Sequence, residues 1–192
     1  MADTYLTLQQ LENAFQVQTL KMLGYDATPD PVTHIPANSD KVRISWPVVG
    51  APAFSITQDV CFLKVSDVDH PYNKLRDISY PITTTNQVNS MQRVAKFTNV
   101  HKIQWILYGP NSYDAAQKIR NGIYLPENVK AFKANNLFLT GEVPAVMRNP
   151  EPFNNQWWER SDFEVCYNQK ITRKADQPYL VGISDVNIVK GR

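Results

Sequence analysis

The 192-residue chain predicts an α+β fold: an antiparallel or mixed β-sheet flanked by an N-terminal helix and a central helix pair, with long extended loops. Three observations lead there. Apolar residues recur at helical spacing in the first stretch, and most later apolar runs alternate with period two. The order is helix, strands, helix pair, strands, without the strand-helix-strand repeat of a doubly wound sheet.

Asp3 to Gly24 reads as the first helix, because Leu8, Leu11, Phe15 and Met22 recur at intervals of three, four and seven, with Ala14 and Leu23 widening the stripe. Gly24 ends it. Tyr25 to Asp40 is rich in proline and short polar residues and reads as a linker or arm. Lys41 to Trp46 alternates Val42, Ile44 and Trp46 with polar residues, a half-buried strand stopped by Pro47. A second strand is expected at Asp59 to Ser66, followed by a long proline-containing loop or arm from Asp67 to Val88.

Ser90 to Gly109 reads as one long strand interrupted near Asn99, with Val94, Phe97, Ile103, Trp105 and Leu107 facing inward. Next come a helix bearing Ala115, Ala116, Ile119 and Ile123, and a second opened by Pro126 with Val129, Phe132 and Lys133. Asn136 to Thr140 is a short strand, and a loop with Pro144, Pro150 and Pro152 follows. The run from Asn155 to Ile171 sets Phe163, Val165 and Tyr167 against polar neighbours, and Tyr179 to Val189 is expected as a closing strand.

Composition narrows the functional classes. At 43% hydrophobic and 11% aromatic, the chain can bury a core, and one domain over residues 1–192 is expected, with 25–40 and 67–88 as arms or loops. The 20 Lys+Arg nearly balance the 18 Asp+Glu, so the global charge of a dedicated nucleic-acid binder is missing. Cys61 and Cys166 each lie in a strand-like run and are expected as buried thiols rather than a disulfide or metal knuckle. With no apolar run long enough to span a bilayer and no basic-then-apolar leader, a soluble protein made in a cytosol is expected.

The segment YGPNSYDAAQKIRNGIY, Tyr108 to Tyr124, poses one question of chemistry. A phosphate-binding loop needs several glycines to close the backbone around the anion, and Gly109 alone precedes this helix. A structural corner is expected instead, with Pro110 fixing the backbone and Asn111 or Ser112 capping the helix.

Asp67, Asp69 and His70, in Asp-Val-Asp-His, could hold a divalent cation, although Asp-His-Pro at a strand end is also ordinary turn chemistry. His34 and His101 show no nearby acid and no nucleophile in sequence. Trp157 and Trp158, beside Glu159 and Arg160, could form a stacking platform for single-stranded nucleic acid. Strand alternation offers the other explanation: one indole packs inside and one lies at an edge or subunit contact. No catalytic, cofactor-binding or metal residue is assigned, and proline-rich arms with many aromatic and amide side chains suit an assembly component.

Three stretches carry a family resemblance: the N-terminal helix followed by KVRISWP; FTNVHKIQWILYGPNSYDAAQKIRNGI, where a long strand turns into a helix; and NNQWWERSDFEVCYNQKI. In this order they resemble the neck or tail terminator family of tailed bacteriophages, the tail completion and head-tail joining proteins. The resemblance implies a structural virion protein and no enzyme or cofactor. It further implies a homo-oligomeric ring, a hexamer, at the top of the tail tube. Its partners would be the tail tube protein, the head-tail connector or stopper proteins and a sheath protein. Genomic DNA would pass through the lumen without sequence-specific binding, and no membrane is involved. Assembly would take place in the bacterial host cytoplasm, and the mature location would be the virion neck. Two alternatives stand beside it: a head-side adaptor or stopper, and a metal-dependent hydrolase using Asp67, Asp69 and His70. The Asp67 to Val88 insertion exceeds a minimal terminator, and both arms are expected to order mainly against neighbouring subunits or neck partners.

Overall fold

A computed structural model describes residues 4–45, 54–85 and 88–178. Helix α1 (Leu8–Leu23) starts later than the apolar period alone suggests. The reason is a capping box: Gln10 N donates to Thr7 Oγ1 (3.2 Å), and Thr7 N donates to Gln10 Oε1 (2.8 Å). Gly24, at φ +87°, ends the helix in the left-handed region. Leu11, Phe15 and Leu20 are buried, whereas Leu8 is exposed. Buried polar residues complete the stripe. Gln16 Nε2 donates to Val42 O (2.6 Å), and Thr19 Oγ1 accepts from Trp105 Nε1 (2.9 Å).

Residues 25–40 do not form an open arm. They fold on themselves through a Pro29–Pro36 bridge and through Asp30, whose carboxylate accepts from the amides of Val32 and Thr33. The sheet then builds from β1 (Val42–Ile44), β2 (Val60–Asp67), β3 (Arg76–Ser79), β4 (Ile82–Thr85) and β5 (Val88–Tyr108). After α2 (Ser112–Gly122) and α3 (Pro126–Ala134) come β6 (Leu137–Thr140), β7 (Met147–Arg148), β8 (Glu151–Phe153), β9 (Gln156–Trp158) and β10 (Arg160–Gln177). The main path is β1-β2-β5-β10-β6, with β1 and β2 parallel and the other pairs antiparallel. The fold is therefore α+β around a mixed sheet.

Two expectations need correction. Strand β5 has no break at Asn99: it runs 21 residues, and Asn99 lies opposite Gln169 in a ladder unbroken from Met91 to Tyr108. Val94, Ala95 and Val100 are buried in its first half, and Ile103, Trp105 and Leu107 in its second. The 67–88 segment is also not a structureless loop. Asp67 still belongs to β2, Pro71–Lys74 forms a 3-10 turn, and β3 and β4 both pair with β5. Pro71 and Pro81 flank these short strands and so remove no ladder donor from within them. Between β2 and β3 the edge of β5 stays satisfied, since Val68 N donates to Val100 O (3.0 Å) and Val100 N donates to Asn73 Oδ1 (2.9 Å). The expected closing strand at Tyr179 to Val189, and Trp46 and Pro47 at the end of the first, lie outside the described residues.

Helices cover the face carrying Ile103, Trp105 and Leu107 of β5 and Phe163, Val165 and Tyr167 of β10. Trp105 stacks on Phe163 (4.9 Å between centroids, 13° between planes), while Phe15 meets Tyr167 edge-on at 5.0 Å. Such pairs add about 1 kcal/mol each to the area they bury.

Candidate interaction surfaces

The Asp67–His70 cluster is dispersed by the fold. The β2/β5 register sets Asp67 opposite His101, with Asp67 Oδ1 2.6 Å from His101 Nδ1. Gln169 Oε1 lies 2.9 Å from the other ring nitrogen. At 4% exposure, His101 is held between two side chains and offers neither nitrogen to a substrate. An acid does orient His101, which no local spacing reveals because the pair spans two strands. Asp69 pairs with Lys74 at 3.6 Å, and His70 Nδ1 accepts from Tyr72 N to cap the 3-10 turn. No metal-capable group of three His, Cys, Asp or Glu side chains exists among the described residues.

The strand-to-helix corner is closed by the protein's own carboxylate. Gly109 has φ +110°, and a Cβ there would lie 2.5 Å from Asp59 Oδ1 and 2.7 Å from Gln58 O. Asn111 makes no side-chain cap; its amide N and its Nδ2 donate instead to Asp59 Oδ1 (2.9 Å) and Oδ2 (2.8 Å). A phosphate at the start of α2 would meet that carboxylate in the place where an anion-binding loop offers free amides. The corner is structural.

Both cysteines are free. Cys61 is fully buried, and desolvation pushes its thiol well above the ordinary range, so it is unreactive.

Trp157 and Trp158 divide as strand alternation requires. Trp158 packs against Phe54 (5.1 Å), Phe153 (5.6 Å) and Tyr108 (6.5 Å), whereas Trp157 is 70% exposed. They sit on the β8–β9 hairpin, turned by Asn154 and Asn155 at φ +49° and +58°, the paired left-handed geometry of a two-residue turn.

An ionic network pins this hairpin. Tyr108 Oη donates to Glu151 Oε1 (2.7 Å), Arg160 Nη1 donates to Glu151 Oε2 (2.7 Å), and Arg160 also pairs with Asp162 at 2.8 Å. Burial, reinforced by the bond to Glu151, pushes the Tyr108 phenol up to about 12. Burial acts upward on Glu151 too, but the hydrogen bonds from Tyr108 and Arg160 outweigh it and hold the carboxyl below its ordinary value. Arg160 is fully committed to this network. A stacking platform with a free cation beside it is therefore not what the segment builds.

Exposed large apolar side chains recur along the 72–82 segment. Tyr72, Leu75, Ile78, Tyr80 and Ile82 are all exposed, Leu75 by 64% and Ile82 by 60%. These side chains lie beside the half of the β5–β10 ladder distal to the helices. Several exposed apolar side chains on one segment are a feature of surfaces that meet a partner.

A family model described as phage neck terminator protein matches residues 9–191. The chain belongs to the phage neck terminator family. No curated protein matches it. Membership gives a structural role in the phage tail and neck, in the virion and in association with other tail and head-tail proteins. That setting accounts for a surface rich in exposed apolar groups. No helix among the described residues is long and apolar enough to cross a membrane.

Proposed function

We propose that this terminator forms a closed ring of six copies at the top of the tail tube. The ring stops tube growth on one face and receives the head-side connector proteins on the other, and genomic DNA passes through its lumen. The observation that carries this is the set of exposed Leu75, Ile78, Tyr80 and Ile82 on the segment whose strands β3 and β4 pair with β5. Leaving such groups in water gives up roughly 25 cal/mol for each Å² of apolar surface, which burial against a neighbour recovers. The backbone of β3 and β4 is already ordered on β5, so a partner has only side chains to fix.

Mixing the purified chain with growing tail tubes tests this. Tubes of fixed length, each capped by one sixfold ring in negative stain, are expected. Rings that dock on portal complexes and ignore tubes would make the chain a head-side connector instead.

A further inference from the structure

We propose that residues 179–192 of each protomer add as an extra strand to the open edge of β3 and β4 in the next copy. This contact rests on the ring proposed above and names what joins its members.

The accepting edge follows from the register. β3 and β4 lie against β5 in one continuous alignment, from Arg76 opposite Phe97 to Thr85 opposite Val88. Gln92 N donates to Pro81 O (3.1 Å), so Pro81, Ser79 and Asp77 are the positions bonded to β5. Alternation turns the N–H and C=O groups of Arg76, Ile78, Tyr80 and Ile82 away from it. Among the described residues, none of these outward backbone groups has a partner. All four residues of β3 are exposed, so both of its faces are bare as well as its edge. The other edges of the sheet are occupied. Along β10 they are taken by β7, β6, Asn136 and Thr4, and at β1 Gln16 Nε2 donates to Val42 O (2.6 Å). An open edge carrying Ile78, Tyr80 and Ile82 is a template for another strand.

The donor is the stretch that follows β10. Pro178 supplies no ladder donor, and the pairing of β10 with β5 stops at Gln177 opposite Met91, although β5 begins at Val88. Met91 is also opposite Ile82, so the chain parts from the sheet level with the accepting edge but on the other side of β5. Residues 179–189 read YLVGISDVNIV, rich in the β-branched and aromatic types that favour strands. Both alternating sets carry apolar groups, Tyr179, Val181 and Ile183 in one and Leu180, Val186 and Ile188 in the other. At about 3.3 Å per residue, this stretch is long enough to run the whole 76–85 edge. The family model extends to residue 191, so the stretch belongs to the pattern of the family. Within one protomer it would have to cross β5 and β4 to reach that edge, whereas a neighbour can present the edge directly. Donor and acceptor on opposite sides of β5 make a heterologous contact, the kind that closes rings. Main-chain hydrogen bonds along the edge supply the affinity, as in other strand additions.

Sedimentation velocity on two variants tests the contact. Ile78→Pro keeps the donor and blocks the acceptor, and because the N–H it removes is an outward one, the ladder to β5 keeps its bonds. A chain ended after Pro178 keeps the acceptor and lacks the donor. Each variant alone should stay monomeric at concentrations where the natural chain assembles. An equimolar mixture should give dimers and nothing larger, because only one donor and one acceptor remain, and that dimer also shows that both variants are folded. In the natural chain, the amides of Ile78 and Tyr80 should exchange with deuterium slowly in the ring and rapidly in the isolated protomer. Rings formed by either variant alone would overturn the contact and leave the ring intact. Slow exchange of both amides in the isolated protomer would place the stretch on its own edge and overturn the contact too, as would a mixture that yields no dimer. A natural chain that stays monomeric both alone and on tail tubes would remove the ring, and this contact with it.

Discussion

Strands β5 and β10 form one continuous ladder, yet its two halves live in different surroundings. Between Ile103 and Leu107 of β5, opposite Ser161 to Val165 of β10, the ladder carries the helices and buries Trp105, Phe163 and Val165. Between Met91 and Phe97 it is flanked by β3 and β4, whose Ile78 and Ile82 face water. The β5–β10 ladder itself is paired through both halves. The covered half converts that pairing into the main core, whereas the barer half buries Val94, Ala95 and Ile171 and leaves apolar side chains of its flanking strands in water. Substitutions in the covered half should therefore change stability, and those at the exposed side chains beside the barer half, such as Ile78 and Ile82, should change assembly.

Trp105→Ala is the strongest probe of the covered half. It removes the stack on Phe163 and leaves Thr19 Oγ1 without its indole donor. A loss of about 4 kcal/mol is expected in denaturant unfolding of the protomer. Retention of most of the stability would mean that the helices do not depend on this face.

Gly109→Val comes next, at about 3 kcal/mol, because a β-branched residue at positive φ is strained and its Cβ overlaps Asp59 and Gln58. Unfolding of the protomer measures it. A stable variant with an unchanged Asp59–Asn111 contact would show that the corner is not sterically fixed.

Acid should loosen the β8–β9 hairpin by a smaller amount. Glu151 has a depressed folded value, so its contribution is fully present above the ordinary glutamate range, about 4.3, and fades as pH falls through that lower value. Indole fluorescence should report exposure of Trp158 below about pH 4. Glu151→Gln should abolish this pH dependence and leave the hairpin looser at neutral pH. An unchanged titration in that variant would locate the acid response elsewhere.

The smallest effect on stability belongs to the bare half. Ile78→Ser combined with Ile82→Ser should shift protomer unfolding by no more than about 0.5 kcal/mol, the usual range for surface changes. Ring formation, read by negative stain, should nevertheless fail. A double variant that unfolds early would show that these side chains support their own strands and not a neighbour.

Local sequence determined the elements whose partners are near in the chain or whose period is long. The stripe of α1, the alternation of β2, β5 and β10, the proline start of α3 and the Gly109 corner all follow from spacing and backbone preference. The family resemblance was legible for the same reason, being carried by those stretches. Tertiary structure alone decided which edges the short segments joined. Arg76–Ser79 and Ile82–Thr85 are too brief to declare themselves as strands, and they become so because β5 extends past the end of β2 and offers an unfilled edge. Register likewise brought Asp67 to His101 and packing brought Asp59 to Asn111, pairs separated by 34 and 52 positions, far beyond the reach of any local period. The Asn154–Asn155 turn was the one such feature with a local signal: two residues able to take positive φ between short runs that can pair.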